Sequence, residues 1–201
     1  MNQEIITILN KPTIISIVGD TNTGKTNTIH SIINEINKEY QTNTHSFKAG
    51  IGEPIHSLEE LEQIQNSIII IDEFIELFDL DDRKKVKQIE NTLSLTHHNN
   101  NIIILIGLPE NFKKFISSKC EYIIYKKSTL KDFINGSRHK SALNSYIGHE
   151  KGSTILNLQP QESLIYKGLK WLKIETKYIK KEDTKKNNEN ILKPKCANNV
   201  Q

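Results

Sequence analysis

Arginine is nearly missing from this chain: Arg83 and Arg138 are its only two in 201 residues, so lysine supplies almost all of its 27 basic side chains. Each arginine is therefore a candidate for the planar, bidentate contacts an ammonium cannot make. Cysteine is scarce as well. Cys120 and Cys196 lie far apart without metal-ligand spacing, and nothing at the N-terminus resembles a signal peptide, which together predict a reducing, cytosolic interior. Long apolar runs are also lacking. Ser67 to Ile71 and Ile102 to Ile106 extend for about five residues, far short of the roughly 18 that cross a bilayer, so both are expected to be buried strands and no membrane partner is expected.

Net charge is small, +3, but unevenly spread. From Tyr166 to Gln201 ten lysines face Glu175, Glu182, Asp183 and Glu189, which leaves that segment at +6 and the remainder at −3. A lysine-rich end follows phosphates, or is simply a solvated face. Residues 182–201 lack hydrophobic periodicity and read as a basic, flexible tail; residues 1–181 read as one domain, the size that buries a core without staples.

What is present is alternation. Five β-branched runs, Thr13 to Val18, His45 to Lys48, Ser67 to Asp72, Asn101 to Ile106 and Glu121 to Tyr125, are interleaved with helical spacings at Ile29, Ile32, Ile33 and Ile36, at Leu58, Leu61 and Ile64, and at Val86, Ile89 and Leu93. This predicts an α/β fold: three α/β/α layers around a mainly parallel sheet. An earlier run, Ile5 to Leu9, reads as an antiparallel neighbour of the first core strand. Thr154 to Leu158, Ser163 to Tyr166 and Leu169 to Ile174 read as short strands that make a small C-terminal β addition.

Gly19-Asp20-Thr21-Asn22-Thr23-Gly24-Lys25-Thr26 matches the Walker A pattern between a strand and a helix, the context that the motif requires. Gly19 and Gly24 let the backbone turn so that its N–H groups and the helix start face phosphate. Lys25 is expected to reach the β- and γ-phosphates and Thr26 to ligate Mg²⁺. Ser67-Ile68-Ile69-Ile70-Ile71-Asp72-Glu73 ends a buried strand in two carboxylates: Asp72 for the Mg²⁺ shell, and Glu73 as the base that polarises an attacking water. The expectation is a P-loop ATPase fold that takes ATP and Mg²⁺; no guanine signature is visible.

From Ile14 to Tyr166 the chain resembles the genome-packaging ATPases of tailless double-stranded DNA viruses, a branch of the FtsK/HerA superfamily. The similarity rests on Walker A near the N-terminus, the Asp72-Glu73 pair, and Thr96-His97-His98-Asn99-Asn100-Asn101 ahead of Ile102 to Ile106. It departs in two places. His97 stands where the family usually has an arginine, and the strand that the family closes with a polar residue ends here in Gly107-Leu108-Pro109, leaving Asn111 as the nearest substitute. The resemblance implies that Asn111 contacts the γ-phosphate or its water, and that Arg138, within Gly136-Ser137-Arg138-His139-Lys140, is an arginine finger offered to a neighbouring subunit or, with Lys140, a contact to a DNA backbone. Arg83 is the lesser candidate, since Asp81 and Asp82 beside it suggest a local ion pair.

The same resemblance implies a homo-oligomeric ring that moves double-stranded DNA with little sequence preference into a preformed capsid. A capsid or its portal vertex is then a further partner, and the host cell interior, or the virion, the location. A plasmid-mobilisation or DNA-pumping ATPase and an ATP-controlled binding switch are the alternatives.

Overall fold

The computed structural model describes residues 11–40, 43–78, 82–95, 98–108, 118–128, 154–167 and 170–176, with residues 37–40 and 83 described by backbone alone. Ile5 to Leu9, Asn111, Arg138 and the tail 182–201 lie outside the described residues. Eight strands form one sheet: β1 (Thr13–Val18), β2 (Asn43–Phe47), β3 (Glu53–Pro54), β4 (Ser67–Asp72), β5 (Ile102–Gly107), β6 (Tyr122–Tyr125), β7 (Glu162–Lys167) and β8 (Lys170–Glu175). Their order across the sheet is β3-β2-β4-β5-β1-β6-β7-β8. The first six pair in parallel, while β7 runs antiparallel to β6 and β8 to β7. The expected C-terminal β addition therefore prolongs the central sheet.

The helices are α1 (Lys25–Tyr40), α2 (Leu58–Gln63), α3 (Phe74–Leu77) and α4 (Arg83–Ser94). Residue parity along the strands decides which layer each one covers, because successive side chains leave a strand on opposite faces. Ile15, Ile17, Ile68, Ile70, Ile104 and Ile106 pack with the α1 stripe of Ile29, Ile32, Ile33 and Ile36. On the other face, Ile14, Val18, Ile69, Ile71, Ile103 and Leu105 pack with Leu58 and Leu61 of α2, Phe74 of α3, and Ile89 and Leu93 of α4. Both faces are covered, which is why the central strands read as unbroken isoleucine runs; all six residues of β1 and of β5 are buried.

Local chemistry fixes the helix starts. Ser57 caps α2, its Oγ accepting the Glu60 N–H at 3.3 Å, and Glu60 returns its Oε2 to the His56 N–H at 2.8 Å. Asp82 caps α4 by accepting the Lys84 N–H at 2.8 Å. Where β4 and β5 begin, the buried Asn101 side chain substitutes for a missing ladder rung: its Oδ1 accepts the Ser67 N–H at 3.0 Å and its Nδ2 donates to the Ile64 carbonyl at 2.6 Å. These two hydrogen bonds tie the start of β5 to the start of β4 and to the end of α2, and the carboxyl ends of the two strands flank the site.

Thr154 to Leu158 is not the strand its composition suggested. Residues 154–156 form a short helical turn, in which Asn157 N–H donates to the Thr154 carbonyl at 3.2 Å and Leu158 N–H to that of Ile155 at 3.4 Å. The reason lies in its burial: Ile155 and Leu158, three apart, face the same core, and a period of three is helical, not extended. The β7–β8 hairpin closes over that side with Trp171, whose ring centroid lies 4.7 Å from that of Tyr166 and 5.9 Å from that of Tyr125.

Candidate nucleotide-binding site

The loop from Gly19 to Gly24 leaves β1 at the carboxyl edge of the sheet and delivers the chain into α1. Two residues hold it in left-handed backbone, Asn22 at φ 61° and Gly24 at φ 85°. Glycine is the residue for the second position on two counts. A Cβ there would meet positive φ and also overlap the carbonyl oxygen of Pro160. Gly19 is confined differently, since its Cβ would come within 2.5 Å of the Lys126 Cβ. Thr23 tightens the loop by donating from Oγ1 to the Asp20 carbonyl at 2.8 Å. Thr21 and Asn22 at the tip are exposed, as is Thr26 in the first turn of α1.

Lys25 curls back over this loop, its Nζ donating to the carbonyls of Gly19 and Asp20, both at 2.7 Å. Burial holds its ammonium below the ordinary lysine value, and the carboxylates of Asp72, Asp20 and Glu73 work against that. The two β4-end carboxylates are thus electrostatic neighbours of Lys25, although β5 is inserted between β1 and β4 in the sheet. Asp72 ends β4, half-buried, and its Oδ1 accepts the Glu73 N–H at 3.0 Å. Glu73 is the first residue past the strand. Its φ of 50° turns the backbone sharply before α3, and its side chain is 62% exposed, reaching Lys48 Nζ at 3.4 Å.

The donor set suits Mg²⁺. Among the described residues no group of three or more His, Cys, Asp or Glu could hold a metal, so a protein-only cage is absent. Thr26 and Asp72 offer one hydroxyl and one carboxylate, hard oxygens that leave coordination positions to water and phosphate, which is how Mg²⁺ is usually held.

Two lysines that sequence reasoning passed over belong to this neighbourhood. Lys126, directly after β6, is fully buried. Its backbone N–H donates to the Val18 carbonyl at 2.7 Å, and the Asp20 N–H donates to the Lys127 carbonyl at 3.1 Å. Its ammonium donates to the carbonyls of Pro160 and Glu162 at 2.7 and 2.8 Å and to Ser163 Oγ at 3.1 Å. Burial pushes it down to about 8, against the pull of Glu162. Lys126 thereby stitches the phosphate-loop floor to the turn that leads into β7. The only sequence signal is a lysine abutting an apolar run. The second is Lys48, in left-handed backbone (φ 58°) just past β2, paired with both Glu73 and Glu76.

The glycine that closes β5 also has a structural reason. A Cβ on Gly107 would stand 2.6 Å from Cε1 of Phe74, the residue after Glu73, so the ring fills the room a side chain would need. Of the other expected residues, His98 is exposed; Arg83 begins α4 by its backbone; Asn111 and Arg138 fall outside the described residues.

No family model matches the chain, nor does any curated protein sequence. Solved structures do. The genome packaging NTPase B204 of Sulfolobus turreted icosahedral virus 2, in complex with sulfate, aligns with TM-score 0.60 and 17% identity over 85% of this chain and 98% of that one. The DNA-packaging ATPase B204 of Sulfolobus turreted icosahedral virus aligns with TM-score 0.62 and 16% identity over 85% and 100%. The conjugation coupling protein TcpA of pCW3, bound to ATPγS, gives TM-score 0.56 and 15% identity over 87% and 63%. B204 has also been solved with ATPγS and with AMPPCP. The chain therefore has the three-layer α/β/α P-loop ATPase fold, shared with these genome-packaging and conjugation-coupling ATPases.

Proposed function

We propose that this chain is an ATP-hydrolysing DNA translocase that packages viral double-stranded DNA into a preformed capsid, working as a homo-oligomeric ring. The observation that carries this reading is the grouping of Lys25, Asp72 and Glu73 at one carboxyl edge, with Asp72 and Glu73 both acting on the Lys25 ammonium, in a fold that spans 98% of a genome packaging NTPase. Likeness over 87% of this chain to a conjugation coupling protein supports DNA-moving activity in plasmid transfer as the second reading.

In the proposed mechanism, backbone N–H groups from Gly19 to Thr26 and the start of α1 cradle the triphosphate. Lys25 exchanges its two carbonyl acceptors for phosphate oxygens, and Thr26 and Asp72 would hold Mg²⁺, which when bound would neutralise phosphate charge. Glu73, exposed at the sheet edge, takes the proton of the attacking water. Asn111 is assigned to the γ-phosphate and Arg138 to a neighbouring subunit's nucleotide. Residues 1–181 are assigned to the ATPase unit and residues 182–201 to a basic tail.

Steady-state hydrolysis with and without double-stranded DNA tests this, with Glu73→Gln as control. Removing a positioned general base costs about 10²- to 10⁴-fold, so wild-type turnover should rise with DNA and the variant should be inert. Turnover indifferent to DNA would leave an ATPase with another cargo, and equal rates would remove Glu73 from its role.

A further inference from the structure

The buried side chain of Lys126 runs along the phosphate loop from one of its glycines to the other. Its Cβ stands against Gly19, where an added Cβ would come within 2.5 Å of it, and its Cε would lie 3.7 Å from a Cβ on Gly24. The ammonium has three N–H groups and three acceptors, the carbonyls of Pro160 and Glu162 and Ser163 Oγ. The Pro160 oxygen is the atom that a Cβ on Gly24 would overlap. One side chain thus supports the loop at its first glycine and fixes the group that abuts its second. The same turn is tied to the nucleotide side a second time. The Gln161 carbonyl accepts from the Thr176 N–H at 2.9 Å and from Thr176 Oγ1 at 3.2 Å, and Asn27, in the first turn of α1, donates from Nδ2 to that Oγ1 at 3.4 Å.

We propose that Lys126 is a positioning residue for nucleotide binding, which through the Pro160 turn holds the phosphate loop in its curved, phosphate-accepting form before nucleotide arrives. This rests on the reading of Gly19 to Thr26 as the nucleotide loop. Taking an ammonium out of water is costly, and an apolar side chain of similar length would close the hairpin at less cost. What an apolar side chain could not do is hold two backbone carbonyls turned inward. The ends of the loop are fixed by other bonds: the Asp20 N–H donates to the Lys127 carbonyl at 3.1 Å, and the Thr28 N–H and Oγ1 both donate to the Gly24 carbonyl, at 3.0 and 3.1 Å. Between those ends lie the left-handed Asn22 and Gly24, and glycine is the residue with the widest choice of other conformations. The Pro160 oxygen fills the space that Gly24 would enter on changing conformation. Preorganisation of this kind lowers the cost of binding and leaves the chemical step alone, because a bound triphosphate then holds the loop by itself.

Lys126→Met keeps the stem along the loop and removes the ammonium. The full chain is assayed at pH 7, where an ammonium at about 8 is charged, and below the thermal transition of every variant. Steady-state hydrolysis and direct binding of a fluorescent ATP analogue with Mg²⁺ are both read. For Lys126→Met, KM and Kd should rise about tenfold, the lower part of the range for a hydrogen bond to a charged group, while kcat at saturating Mg·ATP stays within about twofold of wild type. Asn101→Leu loses buried hydrogen bonds at the amino edge of the sheet and should leave KM and Kd at wild-type values. Thr176→Val keeps the side-chain shape, removes the hydroxyl that ties the turn to Asn27, and should raise KM and Kd about threefold; it carries the test alone should Lys126→Met not fold. Wild-type KM and Kd in Lys126→Met or in Thr176→Val, a fall in kcat alone, or an equal rise of KM in Asn101→Leu would each overturn the positioning role and leave the nucleotide site in place. A wild type that binds no Mg·ATP would overturn both.

Discussion

Gly24 offers the sharpest test of how the phosphate loop is held. Replacing it by alanine imposes two penalties that can be separated. The first is conformational: at φ 85° a residue with a Cβ costs about 1 to 2 kcal/mol. The second is steric, because the new methyl overlaps the backbone carbonyl oxygen of Pro160. That oxygen cannot swing aside as a flexible side chain would, since it also accepts from Lys126 Nζ at 2.7 Å. Forcing such an overlap costs about 1 to 3 kcal/mol. Gly50 supplies the reference, with φ 64° and nothing within 4 Å of its Cβ position, so Gly50→Ala should carry the first penalty alone. In urea titrations Gly24→Ala should lose about 2 to 5 kcal/mol and Gly50→Ala about 1 to 2 kcal/mol; with an m-value of about 2 kcal/mol/M the two midpoints should stand about 1 M apart. Nucleotide affinity should fall in Gly24→Ala only. Equal midpoints for the two variants would refute the close apposition of the loop and the Pro160 turn.

Other substitutions probe the surrounding structure. Burial has moved the Lys126 ammonium to about 8 from its ordinary 10.5, so between those values the unfolded chain holds a proton that the folded chain has released. The unfolding free energy of wild type relative to Lys126→Met should therefore climb with pH across that window, by up to about 3 kcal/mol; a flat or falling difference in pH-resolved urea titrations would contradict the buried placement. Asn101→Leu strands the Ser67 N–H and the Ile64 carbonyl and should cost about 2 to 4 kcal/mol by chemical denaturation. Asp82→Ala removes the α4 cap and should cost about 1 kcal/mol, visible as a small loss in thermal midpoint.

How much of this was legible beforehand depended on whether a residue's role is local. Isoleucine runs that must be buried on both faces announce the central strands, and the stripe at Ile29, Ile32, Ile33 and Ile36 announces α1, since one periodicity fixes both conformation and burial. The phosphate loop was readable because its motif is complete within eight residues, and the positive φ of Gly24 is a demand of the local backbone. Short elements escaped. β3 is two residues long and α3 four, too brief for any period to emerge, and at Thr154 to Leu158 β-branched composition masked a spacing of three. Lys48 and Lys126 were invisible as site residues because their partners stand about 25 and 34 positions away. Only the folded sheet brings the lysine just past β2 to Glu73, or the lysine just past β6 beneath the loop.

One feature at the opposite margin of the sheet bears on how copies of the chain meet. The outermost strand, β3, consists of Glu53 and Pro54, both exposed. Proline has no N–H to offer and a carboxylate repels an incoming backbone carbonyl, so this margin is a poor template for another strand. A growing ladder of copies, whether orderly or fibrillar, finds no foothold there. Among the described residues, an assembly that used this side would be built from side chains and loops rather than from a continuous sheet.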